Sequence, residues 1–186
     1  MNWEQYLTAL HRGGPELAAL VDEAQGSARS GALTSTRVLH DPDEMTRLSR
    51  RIEDACAGSS TTLFTGIRAA EHLGPERRER FERLAAGGVR MVLYGVGIPE
   101  DLPDGVVWVP VQPRSTALEN QAFVVAEAPE PVALMSFAIP ARTPGPGADD
   151  PDPGQGFAAF ASRDPRLVEA VVRILRTVAA QGGVVV

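Results

Sequence analysis

The run Val89-Arg90-Met91-Val92-Leu93-Tyr94-Gly95 is almost continuously apolar and is bounded by glycines, Gly87-Gly88 before it and Gly95 at its end. A strand with one wet face alternates apolar and polar residues. One that does not alternate is covered on both faces, as in a sheet with helices packed on either side. Just upstream, Gly74-Pro75 opens an Arg-rich helical segment whose inward positions are Phe81, Leu84 and Ala85, and Gly87-Gly88 closes it. Before that, Thr62-Leu63-Phe64-Thr65 reads as another strand. Strand, helix and buried strand in succession predict an α/β fold.

The same reading extends in both directions. Upstream, Asp41-Pro42-Asp43-Glu44 is a helix start: Asp41 can accept from the first free amides, Pro42 suits the first helical position, and Glu44 stands where a capping box places its acid. Met45, Leu48, Ile52 and Cys56 then mark one helix face, which puts Cys56 in the core rather than among reactive thiols. Thr36 to His40 is an extended entry. Downstream, Val106 to Val111 is a strand after a Pro/Asp/Gly loop, and Gln121 to Ala126 with Val132 to Ile139 forms a hairpin. Phe157 to Ala161 is a last short strand. Asp164-Pro165 caps a closing helix with Leu167, Val168, Val171, Leu175 and Val178 on one side. The expected architecture is a mixed central sheet of about five to seven strands with helices on its faces, plus an N-terminal helical arm.

Three segments stand apart from this core. Residues 1–31 form the arm and its Gly/Ser/Ala linker, with Trp3, Tyr6, Leu7 and Leu10 at helical spacing as a candidate interface for a second copy or a partner. Residues 32–181 are the α/β domain, within which 143–156 holds four prolines, four glycines and three aspartates and is expected to be a mobile loop. Residues 182–186, Gly-Gly-Val-Val-Val, are an apolar tail with no evident partner.

A net charge of −6 disfavours direct binding to nucleic acid or to an anionic membrane, both of which need clustered positive charge. All 18 basic residues are Arg, a habit of composition rather than a site. One cysteine forms no internal disulfide, no leader pattern is present, and no apolar run approaches the ~18 to 20 residues that span a bilayer. A cytoplasmic setting is expected.

Catalytic signatures are sparse. His11, His40 and His72 are scattered, so no metal-ligand cluster is expected. Gly95-Val96-Gly97 lacks the third glycine and helix start of a dinucleotide loop, and no Gly-x-Ser-x-Gly elbow occurs. Glu71, Glu119 and His72 are the only acid and base candidates an enzyme would draw on, and nothing places them together. The run Glu76-Arg77-Arg78-Glu79-Arg80, followed by Glu82-Arg83, pairs Glu76 with Arg80 and Glu79 with Arg83 at i, i+4 and reads as a self-paired, solvated helix face. Tyr94 and Trp108, at or near strand ends, are candidates to line a pocket with their polar atoms free.

Several of these patterns together resemble the DICT sensory domain, a bacterial signal-input module associated with diguanylate cyclases and two-component systems. They are the Met45 to Cys56 helix, Leu63-Phe64-Thr65-Gly66-Ile67, Phe81-Glu82-Arg83-Leu84-Ala85 before the Val89 to Tyr94 strand, Leu118 with Phe123-Val124-Val125, and Phe157-Ala158-Ala159-Phe160. The chain departs from the family's pattern at Ile67-Arg68, where members often carry Phe-Gln, and at Gln121-Ala122, where they carry Glu-Trp. The resemblance implies a sensory or regulatory domain without catalytic activity. The combined expectation is a stand-alone cytoplasmic input domain that binds an unknown small molecule or a signalling partner, possible as a homodimer, with no cofactor assigned. Its candidate ligand residues are Phe64, Arg68, His72, Tyr94, Trp108, Gln121 and Phe123. The alternatives are a purely structural dimerisation module and a small-molecule enzyme.

Overall fold

A computed structural model of the chain describes residues 36–39, 41–111, 121–139 and 156–186. The arm with Trp3, Tyr6, Leu7 and Leu10 lies outside the described residues, as do residues 143–155 of the proposed loop. The elements in chain order are β1 (Thr36–Leu39), α1 (Pro42–Cys56), β2 (Thr62–Ala69), a 3-10 turn (Ala70–His72), α2 (Pro75–Ala86), β3 (Arg90–Val96), β4 (Val106–Pro110), β5 (Gln121–Ala126), β6 (Val132–Ile139), β7 (Gly156–Ser162) and α3 (Pro165–Gln181).

The strands form one seven-stranded sheet in the order β1-β7-β6-β5-β2-β3-β4. Strands β2, β3 and β4 are parallel, and β5, β6, β7 and β1 pair antiparallel. The two halves meet at β2, which is parallel to β3 on one edge and antiparallel to β5 on the other. The mixed α/β architecture expected from the strand and helix order is therefore the one observed. Helix α2 supplies the crossover from β2 to β3, as parallel neighbours require.

Both sheet faces carry a buried core, for the reason read from the apolar run at Val89. In β3, Val92 and Tyr94 join one core with Leu167, Val171 and Leu175 of α3. Met91 and Leu93 join the opposite core with Met45, Ile52 and Cys56 of α1 and Phe81 and Leu84 of α2. Burial of each such side chain is worth roughly 1.5–3 kcal/mol, so two covered faces, not one, hold the sheet. Two glycines make room for aromatic neighbours within it. A Cβ on Gly66 would lie 2.4 Å from the Phe123 ring, and one on Gly95 would lie 2.6 Å from the Trp108 indole.

The tail is not left over. Val184 and Val186 pack against the α3 core, the Val184 amide donates to the Ala179 carbonyl at 2.9 Å, and Arg90 Nη2 donates to the Val185 carbonyl at 2.9 Å. Only the Val185 side chain is strongly exposed, at 88%.

The two Asp-Pro helix starts form as expected. Asp41 Oδ1 accepts from the Asp43 amide at 2.9 Å and Asp164 Oδ1 from the Arg166 amide at 3.0 Å. Partial burial pushes the Asp164 carboxyl up, but hydrogen bonds from the Arg166 side chain and backbone, with its charge, hold it below the ordinary value. A lowered folded pKa stabilises fully above the unfolded value, about 3.9, and that contribution is lost as pH falls through the folded value. Asp164→Ala is therefore expected to cost about 1 kcal/mol in urea unfolding near neutrality. The gap to the parent should narrow below about pH 4; an unchanged gap in acid would show that the charge contributes nothing.

Candidate functional site

Face by face, the sheet is covered unequally. The α3 face is closed by one long apolar helix, whereas the other carries α1 and α2 side by side, with a cleft of about 410 Å³ between them. Its floor comes from β2, β5 and β6, including Thr65, Ala122, Val124, Leu134 and Ser136. Met45 and Phe81 contribute apolar walls, and Arg50, Glu53, Glu76, Arg77, Arg80 and Arg83 the charged ones. The size falls in the roughly 300–1,000 Å³ range of small-molecule sites.

Arg80 organises the wall. Its Nε donates to Glu53 Oε2, while Nη2 donates to Asp54 Oδ1 at 2.8 Å and to the Arg50 carbonyl at 3.0 Å. Ser49 Oγ donates to Glu53 Oε1 at 3.3 Å, so both oxygens of this buried carboxylate are engaged. Burial alone would pull the Arg80 guanidinium down; its hydrogen bond to Glu53 and the charges of Glu53 and Asp54 push it up, and the net displacement is upward. Nearer solvent, Arg50 Nη2 and Glu76 Oε1 stand 3.4 Å apart. The run on α2 is therefore not self-paired as its spacing predicted. Glu79 does meet Arg83, at 3.7 Å, but Arg80 and Glu76 both reach across to α1. A two-helix geometry, invisible to i, i+4 counting, takes the partners.

The floor holds one anomaly. Thr65 is 4% exposed, yet its Oγ1 is the one buried side-chain polar atom without a hydrogen-bond partner among the described residues. Ser136, two strands away on the same floor, is satisfied, donating to the Ala122 carbonyl at 2.7 Å. A buried hydroxyl left unpaired costs about 1–3 kcal/mol, and one at the base of an open cleft is placed to meet an incoming group.

Of the described residues proposed from sequence, only Phe123 borders this cleft, and its ring packs on the α3 face, its centroid 5.6 Å from that of Tyr94. Phe64 is fully buried on the α3 face, with the Arg176 guanidinium 5.9 Å from its ring centroid. Tyr94 lies on that face too, its hydroxyl donating to the Leu175 carbonyl at 2.9 Å, and burial raises its pKa. Trp108 packs on the opposite face and its Nε1 donates to the Gly97 carbonyl at 2.9 Å. The two cannot share one pocket with free polar atoms: alternation in β3 and β4 sends them to opposite sides, and both polar atoms are spent on backbone. Arg68, at φ 66° beside a bulge, and the exposed His72 follow one another at the carboxyl end of β2. Gln121 begins β5 opposite Phe137. Cys56 is buried as expected, and burial, then Glu53, pushes its thiol up.

Thr65, Glu53 and Arg80 escaped the sequence reading, though two of them left a mark. Glu53 is a carboxylate between Ile52 and Cys56 on an apolar stripe, and Thr65 a hydroxyl in a strand covered on both faces.

No family model and no curated protein matches the chain. Among solved structures it is similar to polyphosphate kinase from Porphyromonas gingivalis, at 12% identity and a TM-score of 0.53 over 84% of this chain and 29% of that one. It thus spans less than a third of the kinase's length, and the likeness is one of fold alone. NucT from Helicobacter pylori gives 7% identity and a TM-score of 0.48, covering 77% of this chain and 94% of that chain. TrmBL2, an archaeal chromatin protein, gives 7% identity and 0.47, covering 97% and 66%. These two lower scores support no inference. Among the described residues, no group of three or more His, Cys, Asp or Glu is placed to hold a metal, and no helix is long and apolar enough to cross a membrane.

Two stability measurements check this geometry. Thr65→Val, which removes the hydroxyl at nearly constant shape, is expected to stabilise the chain by about 1 kcal/mol, or roughly 2–4 °C in Tm; destabilisation would mean that Oγ1 has a partner. Arg80→Leu, which strands the Glu53 charge, is expected to cost about 3 kcal/mol. The double variant Glu53→Met/Arg80→Leu should recover most of that loss in a double-mutant cycle.

Proposed function

We propose that the chain is a cytoplasmic sensory or regulatory domain that binds a small molecule in the cleft between α1 and α2 and does not transform it. The observation that carries this reading is the buried, unpaired Thr65 hydroxyl at the floor of an open, part-apolar cleft. The state of Glu53 favours binding over catalysis. A general base works best where its charge is not already compensated, and here Glu53 is ion-paired with Arg80 and each of its oxygens accepts a hydrogen bond, from Arg80 or Ser49. The patterns that resemble the DICT sensory domain point the same way.

Signalling then follows from how the helices are joined. Across the cleft, α1 and α2 are linked through Arg80 to Glu53 and Asp54 and through Arg50 to Glu76. A ligand that binds better at one helix spacing shifts the population toward that spacing, by no more than its difference in affinity for the two. The changed outer surface is what a partner protein or a second copy reads.

The test is thermal unfolding of the full chain against panels of metabolites, nucleotides and chromophores. A ligand present at 100 times its Kd stabilises by about 2.7 kcal/mol, a shift of roughly 5–10 °C for a domain of this size. The shift is expected to vanish in Ala122→Tyr, which fills the cleft from an exposed floor position, and to persist in Glu169→Gln on α3. Absence of any saturable shift across the panels would overturn the reading, as would turnover of the bound compound.

A further inference from the structure

The charges around the cleft say more than that something binds. Four of its lining residues are arginines and two are acids, in a chain whose overall charge is −6. Glu53 is neutralised by Arg80, and Glu76 stands against Arg50. Asp54 and Glu79, which do not line the cleft, pair with Arg80 and Arg83 and offset the excess of the lining itself. Arg77 has no ion-pair partner among the described residues, and Arg83 shares only a long, exposed contact with Glu79 at 3.7 Å. Arg77 and Arg80 are three apart on α2, so they stand on the same side of that helix, one turn from each other.

Arg80 itself is built as a donor held in place. Three hydrogen bonds, to Glu53, Asp54 and the Arg50 carbonyl, engage Nε and Nη2, while Nη1 has no partner among the described residues. A guanidinium offers five N–H donors in a rigid fork that suits an oxyanion, and one fixed beforehand loses little freedom on binding. In the same lining, Met45, Phe81, Val124 and Leu134 are apolar, and the Thr65 hydroxyl is unpaired among the described residues. The lining therefore asks for two things in one molecule: an apolar body and a negatively charged head.

We infer that the cleft takes a small organic oxyanion, a carboxylate or phosphate monoester with an apolar body, whose head meets Arg77 and the free Nη1 of Arg80 while Thr65 Oγ1 bonds a polar atom of the ligand. This rests on the ligand-binding reading above and narrows it to a chemical class.

Four probes with closely similar bodies test it on the full chain: phenylacetate, phenyl phosphate, phenylacetamide and phenethylamine, each titrated by calorimetry and thermal shift. At least one of the two anions is expected to bind about tenfold tighter than the amide, and phenethylamine not at all. Which anion binds tighter identifies the head group. Raising salt from about 50 to 500 mM should weaken the anion severalfold, because solvent-facing charge is screened. Arg77→Gln should weaken it about three- to tenfold and Thr65→Val by a similar factor, whereas Glu169→Gln leaves it unchanged. Equal or tighter binding of the amide or the amine overturns the oxyanion class yet leaves a binding cleft standing. If none of the four probes binds while a neutral compound from the metabolite panel does, the class is again overturned. Failure of every compound in both sets removes the binding reading itself.

Discussion

Strand β2 is under the tightest constraint in the molecule. It must offer β3 a parallel edge and β5 an antiparallel one, and both of its faces are buried beneath helices. A strand so placed has no freedom to rotate a side chain toward water. Phe64 goes to α3, Leu63 and Ile67 go to α1 and α2, and Gly66 yields its space to Phe123 from the neighbouring strand. Thr65 alternates to the α1 and α2 side, where its hydroxyl finds no partner among the described residues. The register that fixes the seam of the mixed sheet therefore also fixes on which face that hydroxyl lies.

Why there is a cleft above that hydroxyl follows from what covers each face. One helix, α3, seals its side with closely spaced Leu and Val residues from Leu167 to Leu175, and the chain's end folds back to add Val184 and Val186. The other side needs two shorter helices, and across their junction run arginine and carboxylate contacts. Charged side chains hold helices at a distance that hydrated heads tolerate and methyl groups do not fill, so a gap persists between them. Closing it with leucines would favour stability, since replacing a buried ion pair by apolar residues is commonly neutral or stabilising.

Much of this was legible one segment at a time. Asp-Pro starts and glycine stops located the helices, and the non-alternating run at Val89 showed that the sheet is covered twice. The expected hairpin between Gln121 and Ile139 is there as β5 and β6. The candidate site was not legible, because its parts are long-range pairs. Arg80 lies four residues from Glu76 in sequence, and spacing alone assigns them to each other, yet the guanidinium binds Glu53 and Asp54 on another helix. The error with Tyr94 and Trp108 had a similar source. Both stand near strand ends, but a strand's period of two decides the face, and the inter-strand register that would reveal it is a tertiary fact.

The departures from good local design are concentrated on one side. On the α3 face, Tyr94 is satisfied by a carbonyl and the large side chains interlock. On the α1 and α2 face, within a single cleft, lie a buried carboxylate locked to an arginine and a buried hydroxyl with no partner among the described residues. Each is tolerable alone, and natural folds carry one or two such violations where function requires them. Had they been incidental, they should be scattered among the two cores; instead they face the same 410 Å³ of open space, beside an arginine whose Nη1 has no partner among the described residues. A molecule that bonded Thr65 Oγ1 would remove the cost of leaving that hydroxyl unpaired, so the feature that weakens the empty domain would strengthen the occupied one.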